Sequence, residues 1–105
     1  MSKMANKLAP IHPGEILLEE FIKPARLSMS QLAAALQVPS NRISQICNGA
    51  RSITAETALR LARYWGTTPQ FWMNLQARYD LEKAQDEYER EIERVIRPRD
   101  NAAPV

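Results

Sequence analysis

The residues best able to do chemistry on a partner lie between positions 40 and 51. Ser40, Asn41, Ser44, Gln45 and Asn48 are uncharged hydrogen-bonding side chains, and Arg42 and Arg51 flank them. The residue types matter. A side-chain amide sets one acceptor beside one donor, which matches the edge that adenine shows in a major groove, while Ser adapts to either role. Arginine makes charge-assisted bonds to phosphate oxygens. Residues 28–55 contain no Asp or Glu that would repel a polyanion. With Ile43 set at zero on a helical wheel, Ile46 falls at about 300° and Cys47 at about 40°, so that side turns inward. Asn41 at about 160°, Gln45 at about 200°, Asn48 at about 140° and Ser44 at about 100° share the other side. A merely solvated helix more often carries Glu and Lys there. Helix pairs of this kind also occur in bundles that bind no nucleic acid, so spacing alone leaves both readings open.

Catalytic and metal chemistry find little support. The 105 residues include one His, His12, and one Cys, Cys47. A lone cysteine forms no internal disulfide, and with a single His it builds no structural zinc site. Cys47 sits on the inward side and reads as a packing residue rather than a nucleophile. His12 lacks a partner triad and reads as a helix-start residue. There is no phosphate-cradling glycine loop and no nucleophile–base pair. The expectation is a non-enzyme with no metal and no cofactor. The longest apolar runs are a few residues, so no membrane span is expected, and no apolar leader opens the chain. A cytoplasmic setting is the default, with nucleoid association through any DNA that is bound.

Net charge is +2, from 14 Lys and Arg against 12 Asp and Glu. That near-neutral total conceals an asymmetry. Residues 28–66 carry Arg42, Arg51, Arg60 and Arg63 against Glu56 alone, four minus one, or +3. Residues 67–105 carry six basic and eight acidic groups, or −2. Two surfaces with different partners would give this pattern, and so would ordinary solvated helix faces.

Five helical segments must position these residues, and no strand pattern appears. The first begins at His12-Pro13, carries Leu17, Leu18, Phe21 and Ile22, and stops before Pro24. Ser28 caps the second, with Gln31 at capping-box spacing and Leu32, Ala33 and Leu36 inward. The third opens at Pro39 or Ser40 and runs to Asn48 before Gly49. Thr54 caps the fourth, with Ala55, Ala58, Leu59 and Ala62 inward, and Gly66 ends it. The fifth starts at Thr68-Pro69 and continues to about Ile96, with the conformation after Leu75 left open. The fold class is all-α, with a flexible N-terminus over residues 1–10 and a flexible tail over residues 98–105. Between them stand a domain over residues 11–78 and a charged helical extension over residues 79–97. Two short helices joined by the turn Gln37-Val38-Pro39 have the layout of a helix-turn-helix.

The run Leu27-Ser28-Met29-Ser30-Gln31-Leu32-Ala33-Ala34-Ala35-Leu36-Gln37-Val38-Pro39, followed by Ile43-Ser44 and Asn48-Gly49, resembles the Xre/Cro-type helix-turn-helix of phage repressors. His12-Pro13-Gly14-Glu15-Ile16-Leu17 upstream and Thr67-Thr68-Pro69-Gln70-Phe71-Trp72-Met73-Asn74-Leu75-Gln76 downstream narrow the likeness to the HigA, or VapI-type, bacterial antitoxins. The resemblance covers about residues 8–81. It implies a lambda repressor-like five-helix domain, a homodimer on a palindromic double-stranded operator, repression of its own operon, and a HigB toxin of the RelE mRNA-endonuclease type as partner. Carried over, the recognition helix is residues 40–48. Its base-facing candidates are Ser40, Asn41, Ser44 and Gln45, with Arg42, Asn48 and Arg51 for the DNA backbone. Two positions depart from the family pattern: Gln37 stands where Gly is usual, and Met29 stands where a phosphate-binding Gln is frequent, leaving Gln31 as the substitute.

Trp65, Phe71 and Trp72 could form a stacking platform for a ligand or base, or serve as core and interface. The family places dimerisation in this region, which makes Trp72, Leu75 and Tyr79 the dimer candidates. Farther on, Leu81, Ala84, Tyr88, Ile92 and Val95 recur at helical spacing on a strongly charged helix. That stripe could fold back, pair in a dimer or receive the toxin, and its acidic flanks suit a basic partner. A solvated helix is the plain alternative. The competing readings are an antitoxin and autorepressor, a stand-alone Xre-family regulator without a toxin, and a protein-interaction adaptor on the same bundle.

Overall fold

The computed structural model describes residues 9–100, which form five helices and no strand among the described residues. The expected flexible ends, residues 1–10 and 98–105, lie largely outside this range.

Helix α1 is an α-helical turn, Pro13–Ile16, that continues as a π-helix over Leu17–Ile22. The π-type pattern shows in Lys23 N–H donating to Leu18 O at 3.0 Å and Leu27 N–H to Ile22 O at 3.2 Å. Periodicity does not reveal such a stretch, because one wide turn barely shifts the apolar stripe. His12 caps the helix: its Nδ1 accepts from Gly14 N–H at 2.9 Å. Gly14 is where α1 meets the third helix, and no larger residue fits there, as the contact with Ile46 O shows.

Helix α2 is Met29–Leu36 and α3 is Ser40–Cys47. The capping box at Ser28 and Gln31 is formed at both bonds, 3.0 and 2.8 Å. Gln37 closes α2 in the left-handed conformation, φ 59° and ψ 48°. Val38 N–H then donates to Ala33 O at 3.0 Å, which turns the chain sharply into α3. Ala33, Ile43 and Ile46 are buried where the two helices touch.

Helix α4 is Ala55–Trp65 and α5 is Pro69–Val95. Thr54 and Thr68 cap them as the sequence predicts, and Gly66 ends α4 with φ 77°. The inward face of α4 needs correction. Thr57, Ala58, Leu61 and Ala62 are buried, while Ala55 is exposed and Leu59 is 60% exposed. An i, i+4 pair of apolar residues fits either of two phases, and Ile53, buried just before the helix, fixes the one in which Leu61 points inward.

Helix α5 runs 27 residues without a break, so the expected division between residues 78 and 79 falls inside one helix. It makes the molecule long, with extents of 54 × 31 × 22 Å. Its first turns carry Trp72 into the core beside Leu17, Ile22 and Leu61. Trp72 is 0% exposed, and its Nε1–H donates to Thr67 Oγ1 at 2.7 Å. It is a core residue with no surface to offer a second copy, so it leaves the list of dimer candidates. Phe21 lies at the centre of the aromatic group, with ring centroids 5.0 Å from Trp72 and 5.3 Å from Trp65, which fills the space a stacking platform would need.

Candidate nucleic-acid interface

The exposed side of α3 carries the residues singled out from the sequence, and their partners sort them. Ser40 and Asn41 are exposed at its first turn. Ser44 is half-buried, and its hydroxyl donates to Asn41 O at 3.0 Å, so it serves the helix before any ligand. Asn48 is exposed as the C-cap. Gln45 and Arg51 form one unit: Arg51 Nε–H donates to Gln45 Oε1 at 2.9 Å. The Gln45 amide nitrogen remains available as a donor and its oxygen keeps a second lone pair, while the Arg51 guanidinium presents its terminal nitrogens beside it.

Arg42 behaves differently from the expectation. Its side chain is 23% exposed and leans on Glu56, with Nη1 to Oε1 at 3.7 Å. Glu56 also takes Arg60 at 2.9 Å, and the hydrogen bond from Arg60 is the main reason its carboxyl is held below the usual range. Arg60 in turn donates to Leu36 O at 2.9 Å, tying α4 to the end of α2. Arg42 is therefore half of an inter-helix contact, not a free cation for phosphate. The wheel placed it on the flank of α3, but the position of α4 decides what that flank meets.

Gln31 stands at the start of α2. Its oxygen is committed to Ser28 N–H in the capping box, which leaves the amide N–H group for an anion at the helix N-terminus. Met29, where the phosphate-binding Gln is frequent, is half-buried against the core.

The loop after α3 carries Arg51 and is held at several points. Ala50 N–H donates to Gln45 O at 2.8 Å, Gly49 takes φ 78°, and Ile53 is buried. The backbone N–H of Ile53 donates to Oε1 of Gln76 at 2.7 Å. Gln76 is buried on α5, and its Nε2 donates to Asp80 Oδ1 at 2.9 Å. Sequence reasoning missed Gln76 and Gly14 as parts of the site. The available signals were a polar residue four places after Trp72 on the inward side of α5, and a glycine inside a first helical turn.

Cys47 is half-buried, and burial pushes its thiol up to about 11, which keeps it protonated at neutral pH. Among the described residues no group of three or more His, Cys, Asp or Glu could hold a metal ion, and no helix is long and apolar enough to cross a membrane.

Residues 18–72 match the helix-turn-helix family, a range that takes in the latter half of α1, all of α2, α3 and α4, and the entry of α5. An addiction module antidote protein of the HigA family from Coxiella burnetii has the same architecture, with 52% identity and a TM-score of 0.83 over 88% of this chain and 100% of that one. The chain belongs to the HigA family. Virulence-associated protein I of Dichelobacter nodosus is 51% identical over 82 residues, 78% of this HigA-family chain and 76% of its own length. The Pseudomonas aeruginosa antitoxin HigA, solved with the higBA promoter, is 45% identical at a TM-score of 0.83, covering 85% of this chain and 97% of that one. The family's two identifying runs thus acquire physical reasons. His12-Pro13-Gly14 makes the close approach of α1 to α3, and the run ending in Gln76 supplies the core tryptophan and the tether to the Arg51 loop.

Proposed function

We propose that this HigA-family protein is a DNA-binding antitoxin that acts as a homodimer, represses its own promoter and neutralises a HigB-type toxin. The observation that carries the DNA reading is the exposed face of α3. Asn41 and Ser40 stand free at its start, Gln45 and Arg51 are linked beside them, and no acid lies among them. A face of this kind suits base edges in a major groove, with Arg51, Asn48 and the Gln31 amide toward the backbone. A HigA solved with its promoter supports the same reading. In this proposal residues 11–78 read DNA and residues 79–97 take a protein partner.

The dimer contact is proposed at a groove of about 600 Å³ along the middle of α5, lined by Ile11, Ile16 and Leu75 and, farther along the helix, by Arg78, Glu82 and Gln85. Leu75, one of the expected dimer residues, lines that groove, and Tyr79 stacks edge-on against His12 with ring centroids 4.8 Å apart. The toxin is proposed on the distal half of α5, where Leu81, Tyr88, Ile92 and Val95 are all exposed and Ala84 lies between them. Asp80, Glu82, Asp86, Glu87, Glu89, Glu91 and Glu93 surround that stripe and favour a basic partner.

Two measurements test this. In a gel shift, the fragment upstream of the protein's own reading frame should be retained against excess random DNA; equal competition by random DNA would sink the repressor reading. Co-expression with the neighbouring small reading frame should rescue growth. Promoter binding without growth rescue would leave a stand-alone regulator.

A further inference from the structure

A buried glutamine on α5 holds the loop that presents Arg51. Gln76 is 4% exposed, and both ends of its amide are used: Oε1 accepts from Ile53 N–H at 2.7 Å, and Nε2 donates to Asp80 Oδ1 at 2.9 Å. A core position ordinarily takes an apolar residue, because burying an amide costs free energy unless both ends are satisfied. Here the amide does what no apolar side chain does. It gives the Ile53 N–H a partner and pins the backbone two residues after Arg51. Arg51 in turn fixes the oxygen of Gln45. The chain of contacts therefore runs from α5 through Gln76, Ile53 and Arg51 to the α3 side chain proposed to read a base.

We infer that Gln76 is a positioning residue for DNA reading, acting through the 48–53 loop on Arg51 and Gln45. The inference rests on the DNA reading above and adds a residue that faces away from the DNA. Glu at this position would keep the acceptor toward Ile53 but set a second carboxylate against Asp80. Met would fill the same volume and leave the Ile53 N–H without its acceptor.

Two readouts separate positioning from general stability. The first needs no DNA. In Gln76→Met, hydrogen exchange at the Ile53 amide should speed up about tenfold, as expected for a buried amide that has lost its acceptor. The Ala58 amide, bonded to Thr54 O inside α4, should keep its protection. The second is a double-mutant cycle on the promoter fragment. Gln76→Met should weaken binding about tenfold, the worth of one good base contact. It should cost almost nothing further in an Arg51→Ala background, since both changes remove the same contact. The double variant Gln76→Glu/Asp80→Asn exchanges the amide and the carboxylate and should restore both readouts. If Gln76→Met does not fold, Gln76→Leu, which also leaves the Ile53 N–H without its acceptor, takes its place in the cycle. Equal losses in the Arg51 and Arg51→Ala backgrounds would overturn the positioning role, and so would unchanged exchange at Ile53. Failure of the wild-type protein to retain the promoter fragment would bring down the DNA reading itself, an outcome distinct from a defect confined to the variants.

Discussion

A Cβ placed on Gly14 would stand 1.8 Å from the carbonyl oxygen of Ile46 and 2.9 Å from the Cα of Cys47. The obstacle is backbone, so no side-chain rotation relieves it. Gly14→Ala must push α1 away from α3. Overpacking of this kind costs about 1–3 kcal/mol or more. Urea denaturation should show an unfolding free energy lowered by that amount and a correspondingly lower midpoint, and promoter binding should weaken because α3 loses its support. An unchanged midpoint would contradict the contact.

The turn of the helix-turn-helix carries a correctable strain. Gln37 has φ 59°, a conformation that is unfavourable for a residue with a Cβ. Gln37→Gly should stabilise the fold by about 0.5–1 kcal/mol, the net of relieved strain and added freedom in the unfolded chain. Gly66 is the reverse case. A Cβ there meets nothing within 4 Å, so Gly66→Ala should cost about 1 kcal/mol through φ 77° alone. Thermal melts of the two variants should move in opposite directions.

Direct reading of bases has a signature in specificity. Asn41→Ala and Gln45→Ala should each cost about 1–3 kcal/mol on the promoter fragment and little on random DNA. Arg51→Ala should weaken both, and should also flatten the dependence of binding on salt. Arg42→Ala should act mainly on stability, because its guanidinium sits against Glu56. Titrations at several salt concentrations separate these outcomes.

Stability should fall on the acid side of neutrality through His12. Burial lowers its pKa, with Asp80 working the other way, and Nδ1 is occupied as an acceptor from Gly14 N–H. The folded protein therefore favours the neutral ring, and the unfolded chain binds the proton more readily. The contribution is complete above the unfolded pKa of about 6.5 and is lost as pH falls from there through the folded value. The Tm should drop between pH 7 and pH 5, and His12→Asn, which retains a capping side chain, should flatten that slope. A slope unchanged in the variant would assign the effect to the carboxylates.

The distal half of α5 should be separable from DNA reading. Truncation after Asp80 removes the stripe from Leu81 onward but leaves Trp72, Gln76 and its partner Asp80 in place. A pull-down should lose toxin while the gel shift on the promoter persists. Toxin retained at full strength would exclude the stripe as its seat.

Much of this was legible in the sequence, for reasons that can be named. Caps at Ser28, Thr54 and Thr68 and the stop at Gly66 are local signals, and each helix boundary they imply is where the structure places it. The polar face of α3 follows from 3.6-residue periodicity alone. What escaped depends on neighbours distant in sequence. The phase of α4 was set by Ile53, the commitment of Arg42 by Glu56 on another helix, and the burial of Trp72 by Phe21 and Leu17. The role of Gln76 required knowing that α5 passes beneath the loop that follows α3. Composition does not carry that kind of information.

Because Pro69–Val95 is one uninterrupted helix rooted in the core by Trp72, its distal stripe has a fixed azimuth relative to α3. Inserting a single residue between Gln76 and Leu81 would swing the stripe by about 100° and advance it by about 1.5 Å. On a two-fold symmetric DNA site, each copy would then carry its cargo at a set clock position around the duplex. Helical phase, more than contact area, is the quantity that fixes whether two such cargoes collide or clear one another.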